Sequence, residues 1–263
     1  MGGSMDGEMR QKAWLEPSVA RMEAAPAPLA PRLADAAALH AESAAEIPDY
    51  LREVYSWAYL HPTFALLLDR QPVVEAILWG NARRLIARVL AEVQPGWRVL
   101  QPAAVYGTFS RQLAVALGPT GRLDVSDIAP LQVALTRRKL ADLRQARVDL
   151  RDAASPPRSR YDAVTCFFLL HEVPDPMKSR IVAALLGAVR PGGKAVFVDY
   201  HRPRPAHLLR PFMDLIFARL EPFARALWHH AIADYAGPLG AGFDWRKETL
   251  FGDLYQVVVA TRR

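Results

Sequence analysis

The spacing of hydrophobic positions changes near residue 95 and divides the chain into two predicted parts. From Ile47 to Glu92, apolar residues recur at intervals of three and four, which predicts helices. After the Gln-Pro-Gly turn at 94–96, short apolar runs alternate with helical patterns. This alternation is typical of a parallel sheet with helices on both faces. We therefore predict an α/β fold with a mostly parallel sheet and an N-terminal helical cap.

The turns between apolar runs give approximate boundaries. Residues 1–32 contain the segment AAPAPLAP and no periodicity, which indicates a disordered arm. The helical cap is predicted at 33–94 and the α/β domain at 95–263, with an apolar helical insert at 207–232. Strands are predicted at Trp97–Gln101, Arg122–Asp127, Arg147–Leu150, Asp162–Phe168, Lys194–Tyr200 and Leu254–Ala260, the last as an edge strand, with a turn at 190–193. Helices are predicted at Thr63–Asp69, Pro72–Glu92 with an interruption at Gly80-Asn81, Phe109–Leu117, Pro130–Leu140 and Pro176–Val189.

Composition narrows the class of protein. With 263 residues, 51% hydrophobic and 23% charged, the chain can form one substantial core. The net charge of +6 suits an anionic partner or a membrane surface, and it also fits ordinary surface arginine. The single cysteine, Cys166, excludes a disulfide framework and a cysteine zinc site. We see no bilayer-spanning run and no signal peptide, so we expect a cytoplasmic protein, with peripheral membrane attachment left open.

The loop after the first strand is the first candidate site. A strand, a tight loop and a helix N-terminus form the usual cradle for a nucleotide-like ligand, and such loops are rich in glycine. Here only Gly107 is present, and we expect it to line the cofactor together with Gln101 and Tyr106. The Tyr106 hydroxyl could orient a carbonyl or carboxylate, or the ring could pack against the next helix.

Carboxylates end the second and third strands. Asp127, followed by Ile128, is about twenty residues beyond the loop, where an acidic group can accept hydrogen bonds from a ribose diol. Asp152-Ala153 could accept a hydrogen bond from the amine of an adenine. The alternative for each carboxylate is a local cap or a solvated loop position. We predict that all four residues bind the cofactor.

A second group of polar residues ends the fourth and fifth strands. His171 and Glu172 follow one strand, and Asp199 and His201 close the next. Imidazole and carboxylate ligands suit a divalent ion such as Mn²⁺ or Mg²⁺, and a hydrogen-bonded loop cluster is the alternative. His171 could also serve as a base.

The order of these pieces resembles the class I S-adenosylmethionine (SAM)-dependent methyltransferase fold from Trp97 onward. The signatures are the first loop, Asp127, Asp152-Ala153, YDAVTCFFLLHEVPD and RPGGKAVFVDY. Beyond that general pattern, the chain after Ile47 resembles the rhodoquinone biosynthesis protein family (RquA). This resemblance rests on IPDYLREVYSWAYLHP, ILWGN, VLQPAAVYG, FFLLHE, GGKAVFVDYHRP, LEPFA and FGDLYQ.

The resemblance to the rhodoquinone family implies an uncommon reaction. The family replaces a methoxy group of ubiquinone by an amino group, with SAM as the amino donor and Mn²⁺ assisting. In that reading His171 or Tyr106 is the catalytic base. A bulkier first loop would change how the amino-acid end of SAM lies. Because ubiquinone is a membrane lipid, the resemblance also implies peripheral association with the inner membrane.

Basic residues around the insert could serve that association. Arg202, Arg204, His207 and Arg210 precede its apolar helix, an arrangement that suits anionic lipid. The alternative is a lid helix packed on the sheet.

Two other functions remain open at the level of sequence. One is an ordinary SAM-dependent methyltransferase of a quinol or another small hydroxylated ring. The other is a non-catalytic protein of a quinone assembly that has lost the cofactor. We do not expect a nucleic-acid partner, because the sequence has no basic stripe with interleaved aromatic residues.

Overall fold

A seven-stranded sheet is the centre of the computed structural model, which describes residues 62–158 and 160–263. The strands are β1 (Arg98–Gln101), β2 (Arg122–Asp127), β3 (Ala146–Leu150), β4 (Tyr161–Phe167), β5 (Val189–Tyr200), β6 (Phe243–Leu250) and β7 (Tyr255–Arg262). Their order across the sheet is β3-β2-β1-β4-β5-β7-β6. The first five strands run parallel, and β7 is antiparallel to both of its neighbours.

Helices cover both faces of the sheet, which explains the continuous apolar strands. The helices are α1 (Pro62–Leu68), α2 (Gln71–Ile77), α3 (Ala82–Leu90), α4 (Phe109–Leu117), α5 (Pro130–Lys139), α6 (Asp175–Ala188) and α7 (Arg210–Arg219). Short 3₁₀ segments lie at Leu170–Glu172, Ala224–Trp228 and Ile232–Gly242. Val99 and Leu100 of β1 and Val164 of β4 are fully buried. Parallel strands covered on both faces have no solvent side, so their sequences do not alternate.

The predicted fold class is confirmed, and several boundaries match. Strand β2 and helix α4 have the predicted limits. The predicted single helix at 72–92 consists of α2 and α3, separated at the predicted Gly80-Asn81 interruption. There the Asn81 side chain donates hydrogen bonds to the Leu78 and Trp79 carbonyl oxygens, which closes the turn.

Two predictions about strands were wrong, and one strand was missed. The predicted turn at 190–193 is part of β5, where a register shift between the Tyr161–Val189 and Ala163–Lys194 pairs accommodates it. The last strand is not an edge strand, because β6 pairs with its outer side. Sequence did not indicate β6, since its segment FDWRKETL carries mostly polar side chains at the margin of the sheet.

Some predictions lie outside the described residues. These are the disordered arm at 1–32 and the part of the helical cap before residue 62. In the part of the chain that the structure describes, no helix has the length and apolar character needed to cross a bilayer.

Candidate functional site

Two adjoining cavities open at the carboxyl ends of the central strands, the usual ligand edge of a parallel sheet. The first, here called the polar cavity, is lined by Pro102, Ala103, Ala104, Asp127, Ile128, Ala129, Asp152, Ala153, Phe168, Leu169, Glu172, Val173 and Ile181. The second, here called the aromatic cavity, is lined by Leu68, Val74, Ile77, Leu78, Ala104, Val105, Tyr106, Phe167, Phe168, His171, Glu172, Tyr200 and Glu221. Three residues, Ala104, Phe168 and Glu172, line both cavities. The two cavities therefore share a wall.

Asp127, at the end of β2, organises the floor of the polar cavity. One carboxylate oxygen accepts a hydrogen bond from the Ala129 N–H at 2.7 Å, and the other accepts one from the Ala104 N–H at 2.8 Å. Burial raises the pKa of Asp127 to about 6, although these backbone N–H groups and that of Ile128 act in the opposite direction. The carboxylate thus fixes the first loop to the end of β2.

The other predicted cofactor residues divide between two places. Ile128, Asp152 and Ala153 line the polar cavity with Asp127, and their role in binding a nucleoside stays a prediction. The Asp152 carboxylate also accepts a hydrogen bond from the Ala154 N–H at 2.8 Å, so the local cap considered as an alternative is present as well. Gln101, Tyr106 and Gly107 do not line this cavity.

Gln101 is fully buried at the end of β1, and Tyr106 is partly buried in the first loop. The Gln101 amide nitrogen donates to the Ala103 carbonyl at 2.8 Å, while its oxygen has no partner among the described residues. Tyr106 forms part of the aromatic cavity, and its hydroxyl accepts a hydrogen bond from Gln132 at 2.8 Å. Burial raises the pKa of Tyr106, so the hydroxyl is neutral and is a poor base.

The first loop is held by two residues that sequence reasoning missed. The Gly107 N–H donates to Asp69 at 2.9 Å, and the Thr108 N–H donates to Gln71 at 3.0 Å. Lys139 also donates to Asp69, at 2.5 Å. Asp69 follows α1 and Gln71 begins α2. No local pattern marks either residue, because their role depends on where α1 and α2 pack.

Gly107 is required by this close packing. Its φ is +78°, in the left-handed region, and an added Cβ would lie 2.6 Å from the Gln71 amide oxygen. Ala104, Gly107 and Thr108 all donate their N–H groups to side chains. Backbone donors that usually cradle an anion at this position are therefore already used.

His171 lies in the aromatic cavity and is paired with Asp199 at the end of β5. Its Nδ1 is 2.9 Å from an Asp199 carboxylate oxygen. The carboxylate is held by backbone N–H groups of Leu170, His171 and Tyr200. The other ring nitrogen, Nε2, lies 3.8 Å from Glu172 and 3.9 Å from Glu221. The imidazole therefore has a fixed orientation, with Nε2 between two carboxylates.

These carboxylates determine the charge of His171. Burial by itself would lower the pKa, but Asp199, Glu221 and Glu172 outweigh it and raise the pKa to about 9. At neutral pH the ring is then an imidazolium that donates hydrogen bonds from both nitrogens. This charge argues against the predicted role of base at pH 7 and favours a proton donor.

Phe168 separates the two cavities. It follows β4 with φ of +52°, a strained conformation for a bulky residue. Its ring contacts His171 and Tyr200 edge to face, with centroids 5.8 and 5.3 Å away. Local strain of this kind is typical of positions that the surrounding structure holds for function.

The structure does not assemble the predicted metal cluster of His171, Glu172, Asp199 and His201. Both Asp199 oxygens are engaged by the His171 ring and backbone N–H groups, as described above. His201 turns away, with Nδ1 2.9 Å from the Asp253 carbonyl oxygen and Nε2 3.4 Å from the Lys247 ammonium. Within 62–158 and 160–263, no three His, Cys, Asp or Glu side chains are arranged to hold a metal ion. The hydrogen-bonded loop cluster, the alternative weighed from sequence, describes the geometry better.

Glu221 reaches the aromatic cavity from the insert, another contact that sequence reasoning missed. The insert is tied to the site by Lys178, which is fully buried and donates to the Val173 and Phe223 carbonyl oxygens at 2.6 and 3.0 Å. Asp175 accepts a third hydrogen bond from the same ammonium. The insert therefore forms one side of the site.

This strand order, with an antiparallel seventh strand between the fifth and sixth, is the class I SAM-dependent methyltransferase fold. Residues 99–193 match the protein-family model described as "Methyltransferase domain". Among solved structures, a SAM-dependent methyltransferase from Aquifex aeolicus has a TM-score of 0.53 at 16% identity, covering 77% of this chain and 99% of that one. Human N-acetylserotonin methyltransferase in complex with SAM has a TM-score of 0.59 at 17% identity, covering 86% of this chain and 66% of that one.

The curated relatives give a narrower comparison. Ubiquinone/menaquinone biosynthesis C-methyltransferase UbiE of Ectopseudomonas mendocina is 30% identical over 148 residues, which are 53% of this chain and 57% of the relative. The UbiE protein of Shewanella halifaxensis is 28% identical over 137 residues, which are 50% and 53%. The chain thus spans little more than half the length of these relatives. The resemblance to the class I fold is confirmed, and the resemblance to the rhodoquinone family stays a prediction.

Proposed function

We propose that this chain is a SAM-dependent enzyme that transfers the methyl group of SAM to a ring carbon of a quinol. The observation that carries the proposal is the wall of Ala104, Phe168 and Glu172 shared by the polar and aromatic cavities. A donor in one cavity and a ring in the other would meet at this wall. The two C-methyltransferases of ubiquinone and menaquinone biosynthesis support a quinol as the acceptor.

The polar cavity is proposed to hold the nucleoside of SAM. Asp127 would accept hydrogen bonds from the ribose diol, and Asp152 would accept one from the adenine amine. Ile128 and Ala153 would contact the base. Since Asp127 already accepts two backbone N–H bonds, its remaining lone pairs are those available to the ribose.

In the aromatic cavity, His171 is proposed to bind the quinol oxygen. An imidazolium at Nε2 donates a hydrogen bond to that oxygen and stabilises negative charge on it. The ring carbon attacks the sulfonium methyl, so that a C–C bond forms and the C–S bond breaks. The ring proton then leaves to a base, for which Glu172 is proposed because it lines both cavities.

A second candidate is the amination of ubiquinone that the rhodoquinone resemblance implies. The specific observation in its favour concerns the first loop. The N–H groups of Ala104, Gly107 and Thr108 already donate hydrogen bonds to side chains there. The amino-acid end of SAM would then lack its usual cradle and could turn toward the aromatic cavity. A bond between the SAM nitrogen and the ring carbon would form, the methoxy C–O bond would break to release methanol, and the bond from that nitrogen to the SAM Cα would then break to leave the amino group on the ring. The predicted Mn²⁺ enters no step here, because the four predicted ligands do not fit it.

One labelling experiment separates these reactions. Purified protein is incubated with SAM that carries ¹³C in the methyl group and ¹⁵N in the amino group, with ubiquinone, ubiquinol or demethylated quinols. Mass spectrometry of the lipid product should show ¹³C without ¹⁵N under the main proposal. Product with ¹⁵N and without a methoxy group would overturn it in favour of amination. No label in the product, with no SAM binding by calorimetry, would favour the non-catalytic alternative.

The cellular setting follows from the acceptor. A long-tailed quinol resides in the bilayer, so the proposed enzyme would work at the inner membrane from the cytoplasmic side. This association is part of the proposal.

A further inference from the structure

One surface of the molecule exposes an unusual number of large apolar side chains. It consists of Trp79, Leu208, Phe212 and Leu215, and is here called the outer face. Leu208 is 94% exposed and Leu215 is 53% exposed. The Trp79 and Phe212 rings meet edge to face at 5.5 Å, which joins the segment after α2 to the insert. Exposed apolar groups in contact across two segments mark an interaction surface.

Helix α7 explains why these side chains are not needed for the core. Its inner side is fixed by Met213 and Phe217, which are 1% and 0% exposed. The Phe217 ring packs 5.0 Å from that of Tyr200 in the aromatic cavity. Phe212 and Leu215 lie on the other side of the same helix and remain about half exposed. One apolar side of α7 packs against the core, and the other is exposed. A helix of this kind is expected to place its exposed apolar side against a second apolar environment.

The segment that carries most of the outer face has an excess of positive charge. Residues 201–230 contain five arginines (Arg202, Arg204, Arg210, Arg219 and Arg225) against two carboxylates (Asp214 and Glu221). Arg225 pairs with Asp214, and Arg204 pairs with Asp253. The other three arginines form no ion pair with any residue that the structure describes. An apolar patch with excess arginine complements a layer of anionic headgroups above acyl chains.

We propose that the outer face docks on the surface of an anionic lipid bilayer, with Trp79, Leu208, Phe212 and Leu215 entering the headgroup region. A second copy of the chain is a poorer occupant, because an isologous contact would place arginines against arginines. The face also adjoins the aromatic cavity, since Ile77 lines that cavity, is 48% exposed and lies two residues before Trp79. Passage of a lipid ring by this route rests on the proposed function, whereas docking itself does not.

Vesicle co-sedimentation of the full chain tests the docking directly. Vesicles of phosphatidylglycerol mixed with phosphatidylcholine should bind the protein, and added salt should weaken the binding. A Leu208→Asp/Phe212→Asp/Leu215→Asp variant should bind at least about tenfold more weakly, because apolar burial and charge attraction are both lost. The matched control is Val115→Asp on α4, where Val115 is 48% exposed and lies outside the outer face. This control should bind like the unmodified chain.

Three outcomes would overturn the docking proposal. The first is that the unmodified chain does not bind anionic vesicles, and the second is that the triple variant and the control bind equally well. The third is that light scattering shows self-association of the chain and its loss in the triple variant. A thermal melt establishes that the triple variant is folded, as substitutions at exposed positions allow.

The docking proposal and the proposed function fail separately. Vesicle binding is measured without SAM or quinol, so it stands even if no group transfer is found. If transfer is found, the triple variant should keep its activity on a short-tailed quinol in solution and lose most of it on a long-tailed quinol in vesicles. Equal activity of the variant on both would overturn the entry route.

Discussion

The polar and aromatic cavities are neighbours but are built in different ways. The polar cavity is formed mainly by short segments that directly follow β1, β2, β3 and β4. The aromatic cavity collects side chains from position 68 to position 221, including α2 and the insert. The cavity for the proposed donor is thus a property of the fold's sheet edge. The cavity for the proposed acceptor depends on additions packed against that edge, and these additions would determine the substrate.

The charges of the two cavities differ as well. Asp127 in the polar cavity has a pKa raised by burial to about 6 and remains mostly a carboxylate at neutral pH. His171 in the aromatic cavity has a pKa raised to about 9 and is a cation under the same conditions. A positive sulfonium donor and a developing phenolate would each meet a group of opposite charge. Substitutions in one cavity should therefore leave the ligand of the other largely unaffected.

The largest expected effect is on catalysis in the aromatic cavity. His171→Gln should lower kcat for the quinol by about 10²- to 10³-fold, because the cationic hydrogen-bond donor that stabilises negative charge on the ring oxygen is lost. Steady-state kinetics measure this change, and calorimetry should show nearly unchanged SAM affinity. Asp199→Asn is the matched variant and should reproduce the loss by weakening the imidazolium. A parallel loss of SAM affinity would contradict the separation of the cavities.

The charge of His171 also makes stability depend on pH. Its pKa rises from the ordinary 6.5 to about 9 on folding, so its stabilisation is complete below pH 6.5 and is lost as pH rises through about 9. The difference corresponds to roughly 3 kcal/mol in the free energy of unfolding. Urea denaturation of the unmodified chain and of His171→Gln across this range measures it. If the two curves stay parallel, His171 is neutral in the folded protein.

In the polar cavity, Asp127→Ala should weaken SAM binding by about tenfold to a hundredfold. The substitution removes the proposed ribose acceptor and leaves the Ala104 and Ala129 N–H groups without their acceptor. Calorimetry measures the SAM affinity, and a thermal melt separates it from stability. Asp124→Ala is unsuitable as a control because Asp124 is itself buried and paired with Arg98. Asp142→Ala, at an exposed carboxylate, should bind SAM normally. Unchanged affinity in Asp127→Ala would show that the nucleoside lies elsewhere.

The smallest expected effect concerns the loop between the cavities. Gly107→Ala should cost about 1–3 kcal/mol of stability through the positive φ and the contact with Gln71. In a Gln71→Ala background the contact is relieved while the positive φ remains, so the cost should be smaller. Urea denaturation of the four proteins gives the coupling free energy. A cost that is equal in both backgrounds would show that Gln71 does not set the loop conformation.

Much of the fold could be predicted from sequence because its signals are local. The limits of β2 and α4 follow from short apolar runs bounded by turns, and carboxylates that end buried strands must meet at one edge of a parallel sheet. Asp127, Ile128, Asp152 and Ala153 were placed together on that ground. Strand β6 was not predicted, because a polar strand at the edge of the sheet has no periodic apolar pattern.

The described residues do not assemble the predicted metal cluster, for a related reason. Residues at the same edge of a sheet need not bind the same metal ion, because each side chain can form hydrogen bonds with a nearby group instead. Asp199 bonds to the turn that carries His171, and His201 bonds to the turn before β7. Nothing in the spacing of Asp199 and His201 indicates these partners.

The sequence by itself determined the class of sheet, the position of its ligand edge and the carboxylates there, since periodicity and strand ends are read within a few residues. Only the tertiary structure decided that Asp69 and Gln71 accept hydrogen bonds from N–H groups of the first loop and that Glu221 faces His171. It also decided that the outer face is exposed. These features join residues far apart in the chain, and packing rather than local propensity brings them into contact.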